Sequence, residues 1–326
     1  MTSRTLPPRD QITLCFAHAA YRMKERFDAR NTGMRSVEVR TADDLQAAAG
    51  QADVMVVSGM WTNDLIAQAP RLAFVQSISA GVDQYSREQF EAAGIRLASA
   101  QGANERAVAE HAMGLMLSLS RQISLARDNQ RNRFWRGMIS EIARREDELG
   151  GKTLVIVGMG RIGSRLAQLA RAFDMHVIGV KRDITRGVEA ANEAMPQAEL
   201  GQALARADYV ALTCPLTPDT EGLMDAVAFA AMKPSAYLVN VARGRVVDET
   251  ALMEALHNGT IAGAAIDCTH EEPLPEGSPL WDCPDLIITP HTAGETRRYE
   301  DNVIDILLEN LERLWKGEAG LRNQII

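Results

Sequence analysis

Three side chains of complementary chemistry, Arg243, Glu272 and His291, stand in the last third of this 326-residue chain. Each follows a short apolar run: residues 236–241 precede Arg243, 262–267 precede Glu271 and Glu272, and 286–289 precede His291. A guanidinium grips a carboxylate through two parallel N–H donors and polarises the adjacent carbonyl. An imidazole supplies the proton a carbonyl oxygen needs when hydride reaches its carbon. A carboxylate beside that imidazole holds its orientation and stabilises the imidazolium. The set suits carbonyl reduction. Singly, each residue has a plainer reading: Arg243 as a surface charge, Glu272 as a loop carboxylate with Glu271 as its rival, and His291 as a turn histidine. His270, in the same loop, reads as a pocket-rim or solvated residue, and His18, His176 and His257 carry no signal.

The elements that would position this set are organised around TLVIVGMGRIGSRLAQLA, which starts at Thr153. Residues 153–157 read as a buried parallel strand, 161–173 as a helix with apolar residues at helical spacing, and 176–180 as a second strand. Gly158, Gly160 and Gly163 match G-x-G-x-x-G between them. Gly158 allows the tight turn, Gly160 lets a pyrophosphate reach the backbone, and Gly163 lets the helix pack close to the sheet. The positive end of the helix then favours the phosphates. Strand, glycines, helix and strand in order within about 30 residues are the context that makes this motif a dinucleotide site. In the NAD pattern an acidic residue ends the second strand and binds the ribose hydroxyls. Here Lys181 and Arg182 occupy that place and Asp183 comes two residues late, which favours NADP(H), with NAD(H) as the alternative.

Further strands are expected at 208–213, 236–241, 262–267 and 286–289, making six in a doubly wound, Rossmann-type sheet. Ligands of such sheets bind beyond the carboxyl ends of the strands, where the reactive residues lie. Before the glycine motif, strands at 12–16, 36–39, 52–57, 72–76 and 95–98 alternate with helices at 22–29, 43–49, 63–68 and 83–92. This predicts a second, smaller, flavodoxin-like α/β domain with a parallel sheet. Two of its loops stand out, Ser58–Trp61 and Ser77–Asp83. Small residues in the latter expose N–H groups that could hold a carboxylate; the plainer reading is an ordinary turn. Residues 104–127 read as one long buried helix on which His111 is a packed residue. Residues 129–136 read either as an arm against another subunit or as a solvated loop. Residues 1–10 form a loose lead-in, and 298–315 a last amphipathic helix.

A net charge of −8 and a pI near 5.4 argue against a nucleic-acid surface. No apolar run reaches the roughly 18 residues that span a bilayer, and MTSRTLPPRDQ lacks the apolar core of a secretory signal. The four cysteines, Cys15, Cys214, Cys268 and Cys283, are too widely spaced for a metal or redox motif and suit reduced thiols in a cytoplasmic protein. No metal site is expected.

The segments SISAGVDQY, NERAVAEHAMGLML, LGGKTLVIVGMGRIG, LTCPLTPDTEGL, LVNVARGRVVDETAL, AGAAIDCTHEEPLPEGSPLW and ITPHTAG occur in that order. In them the chain resembles the D-isomer-specific 2-hydroxyacid dehydrogenase family. The resemblance implies Arg243 as substrate binder, Glu272 as the histidine's partner and His291 as acid/base. It implies that the backbone of Ser79, Ala80 and Gly81 takes the substrate carboxylate. It places Val108, Arg161, Ile162, Cys214, Pro215, Ala242, Asp267, His291, Ala293 and Gly294 around the cofactor, with Asp267 on the nicotinamide side. It implies a substrate domain of residues 1–103 plus 295–326, a dinucleotide-binding domain of 104–294, and a homodimer. Formate-oxidising relatives carry Gln where this chain has Glu272, and phosphite-oxidising relatives carry Lys where it has Ala80. The missing acidic residue resembles the NADPH-preferring glyoxylate/hydroxypyruvate and 2-ketoacid reductases. Met60, Trp61 and Tyr85 are the expected side-chain pocket, and their size does not identify the acid. The expectation is an NADPH-preferring reductase of 2-ketoacids. The alternatives are an NAD-dependent D-2-hydroxyacid dehydrogenase and a non-catalytic dinucleotide-sensing protein like the co-repressor relatives; turnover separates the last from the others.

Overall fold

The computed structural model describes residues 4–186 and 190–326, so residues 1–3 of the expected lead-in lie outside the described residues. The chain divides into two compact units, residues 1–104 with 296–326, and residues 105–295.

In the first unit the strands are β1 (Thr13–Ala17), β2 (Arg35–Val39), β3 (Val54–Val57), β4 (Phe74–Ser77) and β5 (Arg96–Ala98). They pair parallel in the order β2-β1-β3-β4-β5, the flavodoxin-like order. Alternate residues of each strand face opposite layers. Leu14, Phe16, Val54, Val56 and Phe74 meet Phe27 and the helix Tyr299–Trp315. Cys15, Ala17, Met55, Val57 and Val75 meet Leu45, Leu65 and Phe90 on the other side. Each fully buried large apolar side chain here contributes about 1.5–3 kcal/mol.

In the second unit the strands are β6 (Thr153–Val157), β7 (His176–Lys181), β8 (Glu193–Pro196), β9 (Tyr209–Leu212), β10 (Tyr237–Asn240), β11 (Gly263–Ile266) and β12 (Leu286–Ile288). All pair parallel in the order β12-β11-β10-β9-β6-β7-β8. This is a doubly wound sheet of seven strands, where the sequence predicts six. The added strand, β8, is a four-residue edge strand ending in Pro196, and its EAMP lacks the β-branched residues that mark a strand. Leu154 and Ile156 pack under the helices Glu105–Ser120 and Arg161–Ala172, while Val155 and Val157 face the opposite layer with Phe229 and Leu252.

The predicted helix over 104–127 is broken. It runs Glu105–Ser120 and resumes at Ile123–Arg131, with Gln122 at φ 49° and ψ 40° between the two. Gln122 N–H bonds Leu119 O at 3.3 Å instead of continuing the helical ladder.

Each sheet is locked at its amino edge by a carboxylate that precedes one strand and accepts the first N–H of the strand beside it in the sheet. Asp53, before β3, accepts Thr13 N–H at 2.8 Å and a forked pair from Arg71 at 3.0 and 2.9 Å. Asp208, before β9, accepts Thr153 N–H at 2.8 Å and Lys233 Nζ at 2.9 Å. The opposite, carboxyl edge carries the loops with chemistry.

Candidate active site

Register defines that edge in the second unit. Val157, Leu212, Asn240, Ile266 and Ile288 form one row across β6, β9, β10, β11 and β12. At about 4.8 Å per strand the row spans roughly 19 Å. Every candidate residue of this unit except Val108 and the Lys181–Arg182 pair follows the row by at most six positions: Gly158 after β6, Cys214 after β9, Arg243 after β10, Asp267 and Glu272 after β11, and His291 after β12.

The glycine motif has three distinct constraints. Gly158 has φ 101°, and a Cβ there would lie 2.6 Å from the Cys214 backbone. A Cβ on Gly163 would lie 2.2 Å from Gly158 O, so only glycine lets the helix Arg161–Ala172 seat on the turn. A Cβ on Gly160 would meet nothing within 4 Å. Its φ of −82° suits any residue, and no side chain caps the helix it begins. An open, uncapped helix start beside a sheet edge fits a dinucleotide pyrophosphate, and Gly158, Gly160, Arg161, Ile162 and Gly163 would hold it. Gly160→Ala is therefore expected to melt like the unaltered protein yet bind dinucleotide at least about tenfold more weakly, roughly 1.4 kcal/mol. Gly163→Ala is expected to lose about 1–3 kcal/mol of stability through overpacking. Thermal melts and fluorescence titration check both; full affinity in Gly160→Ala would remove this turn from the site.

Lys181 ends β7, and Arg182 follows with a side chain 80% exposed, its guanidinium 4.0 Å from Asp219. Asp183 turns one carboxylate oxygen to Thr185, accepting its N–H at 3.0 Å and its hydroxyl at 2.6 Å. Val108 is buried under the sheet, with Ile162 packed at the margin of the same cluster. Pro215 is exposed. Burial pushes the Cys214 thiol up to about 11 and the Cys268 thiol to about 12, where Glu272 and Asp267 add to the effect. Both stay protonated at neutral pH.

His291 Nδ1 lies 2.7 Å from Glu272 Oε2, with the two side chains 48% and 38% exposed. The other oxygen, Oε1, accepts Thr269 N–H at 3.0 Å, which aims the carboxylate. Of the rival pair, Glu272 is the one that meets the imidazole, while Glu271 is exposed and uses its backbone O on the Thr269 hydroxyl. His291 itself has φ 54°, a left-handed conformation costing about 1–3 kcal/mol for a non-glycine residue. Asp267, 2% exposed, sits behind it and accepts Thr292 N–H at 3.0 Å and Ala293 N–H at 2.9 Å. Gly294 follows Ala293 at the end of the loop.

Arg243 is exposed, and one guanidinium nitrogen donates to Ala242 O at 2.7 Å. Spacing did not reveal what holds it. Asn240, 1% exposed, accepts Ala242 N–H and donates to Arg243 O, both at 3.0 Å. A Cβ on Gly244 would lie 2.1 Å from Thr269 C and O, so glycine lets the Arg243 loop touch the Glu272 loop directly. His270 is committed elsewhere, with Nε2 2.7 Å from Val247 O.

In the first unit, Ser77–Gly81 leaves β4 at its carboxyl end. Ser79 N–H bonds Ser77 Oγ at 3.1 Å, and among the described residues no protein acceptor meets the N–H of Ala80 or Gly81. Ser58 Oγ lies 2.7 Å from Ser79 Oγ and accepts Gln84 Nε2 at 2.8 Å. Trp61 and Tyr85 lie in the apolar cluster below this edge, 5% and 7% exposed, packed with Phe90. Their polar atoms are used internally, Trp61 Nε1 on Asn63 at 3.1 Å and Tyr85 OH on Val57 O at 2.6 Å. Met60 is half-buried beside them.

A sequence profile described as "D-isomer specific 2-hydroxyacid dehydrogenase, NAD binding domain" matches residues 113–293, more than half the chain. This chain belongs to the D-isomer specific 2-hydroxyacid dehydrogenase family. It is 34% identical to the glyoxylate/hydroxypyruvate reductase B of Pectobacterium carotovorum over 277 residues, covering 85% of this chain and 86% of that protein. It is also 34% identical over 288 residues to the D-3-phosphoglycerate dehydrogenase of Mycobacterium bovis, covering 87% of this chain and 53% of that one. The chain thus spans about half the length of that relative. A crystal structure of a family member from Aeromonas salmonicida matches with a TM-score of 0.84 at 30% identity, covering 97% of this chain and 99% of the other. Among the described residues, no helix is long and apolar enough to cross a membrane, and no group of three or more His, Cys, Asp or Glu could hold a metal ion.

Proposed function

We propose that this chain reduces 2-ketoacids to D-2-hydroxy acids with NADPH as the preferred cofactor. The observation that carries the reading is the 2.7 Å contact between His291 Nδ1 and Glu272 Oε2, on the same sheet edge as Arg243 and the glycine turn. When bound, the reduced nicotinamide supplies the hydride. Arg243 offers the substrate carboxylate its remaining guanidinium donors, oriented by the bond to Ala242 O. Glu272 accepts from Nδ1–H, which leaves Nε2 of His291 as the atom that gives its proton to the carbonyl oxygen. The neutral imidazole keeps its Nδ1–H on Glu272 and regains a proton from solvent, to which it is half open. The N–H groups of exposed Ala80 and half-buried Gly81, which meet no protein acceptor among the described residues, support a carboxylate-binding role for that backbone beside Ser79. Lys181 and Arg182, standing where the NAD pattern has a carboxylate, support recognition of a 2′-phosphate.

Turnover of glyoxylate, hydroxypyruvate, pyruvate and bulkier 2-ketoacids with each cofactor tests the reading. The expected result is reduction of at least one ketoacid with a lower KM for NADPH than for NADH. Binding without turnover of any ketoacid would sink the enzymatic reading, and a lower KM for NADH would sink the cofactor preference.

The homodimer is part of the same proposal. Phe134, Trp135, Met138 and Ile142 are 60, 96, 103 and 78% exposed, and Ile123 and Leu125 of the neighbouring helix are about half exposed. A monomer rarely shows so much clustered apolar surface to water. Sedimentation is expected to give a dimer, with Trp135→Ser weakening it; a monomer at micromolar concentration would remove this surface from the proposal.

A further inference from the structure

One titratable side chain is built into this edge without a role in the proton transfer just described. His111, on the helix Glu105–Ser120, places Nε2 3.0 Å from Thr289 Oγ1 and 3.5 Å from Asp267 Oδ1. Thr289 Oγ1 donates to Asp267 Oδ1 at 2.5 Å. A hydroxyl has one proton, so Thr289 meets His111 as an acceptor. The Nε2 of His111 therefore carries a hydrogen and donates it. The chain of bonds runs from His111 to Thr289 to Asp267, and then to the N–H groups of Thr292 and Ala293. His291 stands between these anchors in its left-handed conformation, with its own N–H on Thr289 O at 3.0 Å.

The carboxylate that His291 meets is anchored separately, through Thr269 N–H. The 2.7 Å contact between them thus depends on two independent supports, one for each partner. Removing one support moves the imidazole without touching Glu272. A shift of about 1 Å at a reacting group costs up to about a hundredfold in rate.

We propose that His111 is a positioning residue for His291, acting through the Thr289 hydroxyl and Asp267. The inference rests on the reading of His291 as the acid/base. It assigns to a helix side chain, outside the loops that touch substrate, the task of fixing the backbone bend from which the imidazole projects.

Thr289→Val keeps the shape of the side chain and removes only the hydroxyl. It is expected to lower kcat by roughly ten- to a hundredfold, with ketoacid KM and dinucleotide affinity within about twofold and the melting midpoint little changed. Thr289→Ser, which restores the hydroxyl, is expected to recover most of the rate. His111→Leu is expected to lower kcat several-fold, and His111→Gln, which offers an N–H donor near the reach of Nε2, to retain more of it. A Thr289→Val enzyme at the unaltered rate would overturn the proposal, as would a loss that Ser fails to rescue or one matched by a fall in dinucleotide affinity. His291→Ala runs alongside as the reference. If it loses rate while Thr289→Val does not, the positioning role fails alone; if His291→Ala turns over normally, the acid/base reading has failed first.

Discussion

Replacing His291 by alanine is expected to lower kcat by roughly 10²- to 10⁴-fold, the usual contribution of a positioned acid or base. That corresponds to about 3–5 kcal/mol of barrier. The effect belongs to the chemical step, because the side chain is half exposed and its removal leaves no large cavity. Glu272 stays aimed through Thr269 N–H, so the variant tests the imidazole alone. No neighbouring histidine substitutes: His270 is bound to Val247 O and lies 3.9 Å from Glu249, and His111 is engaged with Thr289. Steady-state rates with NADPH, with dinucleotide affinity and melting as controls, check the result. A kcat within about tenfold of the unaltered protein would remove His291 from the mechanism.

Arg243→Lys is expected to lower kcat/KM for the ketoacid by roughly ten- to a hundredfold while leaving the NADPH affinity near its starting value. Lysine keeps the charge and loses the planar fork, so the variant separates geometry from electrostatics. A hydrogen bond to a charged group is worth about 1.5–3 kcal/mol, and the exposure of Arg243 places the effect toward the lower end. The bond to Ala242 O and the grip of Asn240 on Arg243 O orient the guanidinium, and an ammonium, with three rotatable donors on one compact centre, cannot present two parallel N–H groups to a carboxylate. A lysine variant within about twofold of the parent would show that charge alone suffices.

Local patterns carried most of the fold. Apolar runs and βα alternation marked eleven of the twelve strands, because a buried parallel strand is a short continuous apolar segment. The missed one, β8, sits at the sheet edge, where burial no longer enforces that pattern. The break at Gln122 was equally invisible, since Gln favours helix and nothing nearby signals a left-handed residue. For the candidate site, strand ends drew attention to Arg243, the Glu271–Glu272 pair and His291 because ligands of such sheets gather there, and the family resemblance chose Glu272, the one that meets His291. The residues that hold them were not legible. Thr289 meets a histidine 178 positions away, which no spacing encodes, while Asn240 and Thr269 bond residues only three positions on, through loop conformations that leave no mark in residue type. Trp61 and Tyr85 drew notice as large residues near a loop, yet their burial against Phe90 depends on packing that only three dimensions supply.

The contact at Gly244 bears on how this family could be re-engineered. With less room than a methyl group requires between residue 244 and the Thr269 backbone, the two loops form a single mechanical piece. A graft from another dehydrogenase would need to transplant both together, since a new sequence in either one alone would have to reproduce the outline of the other.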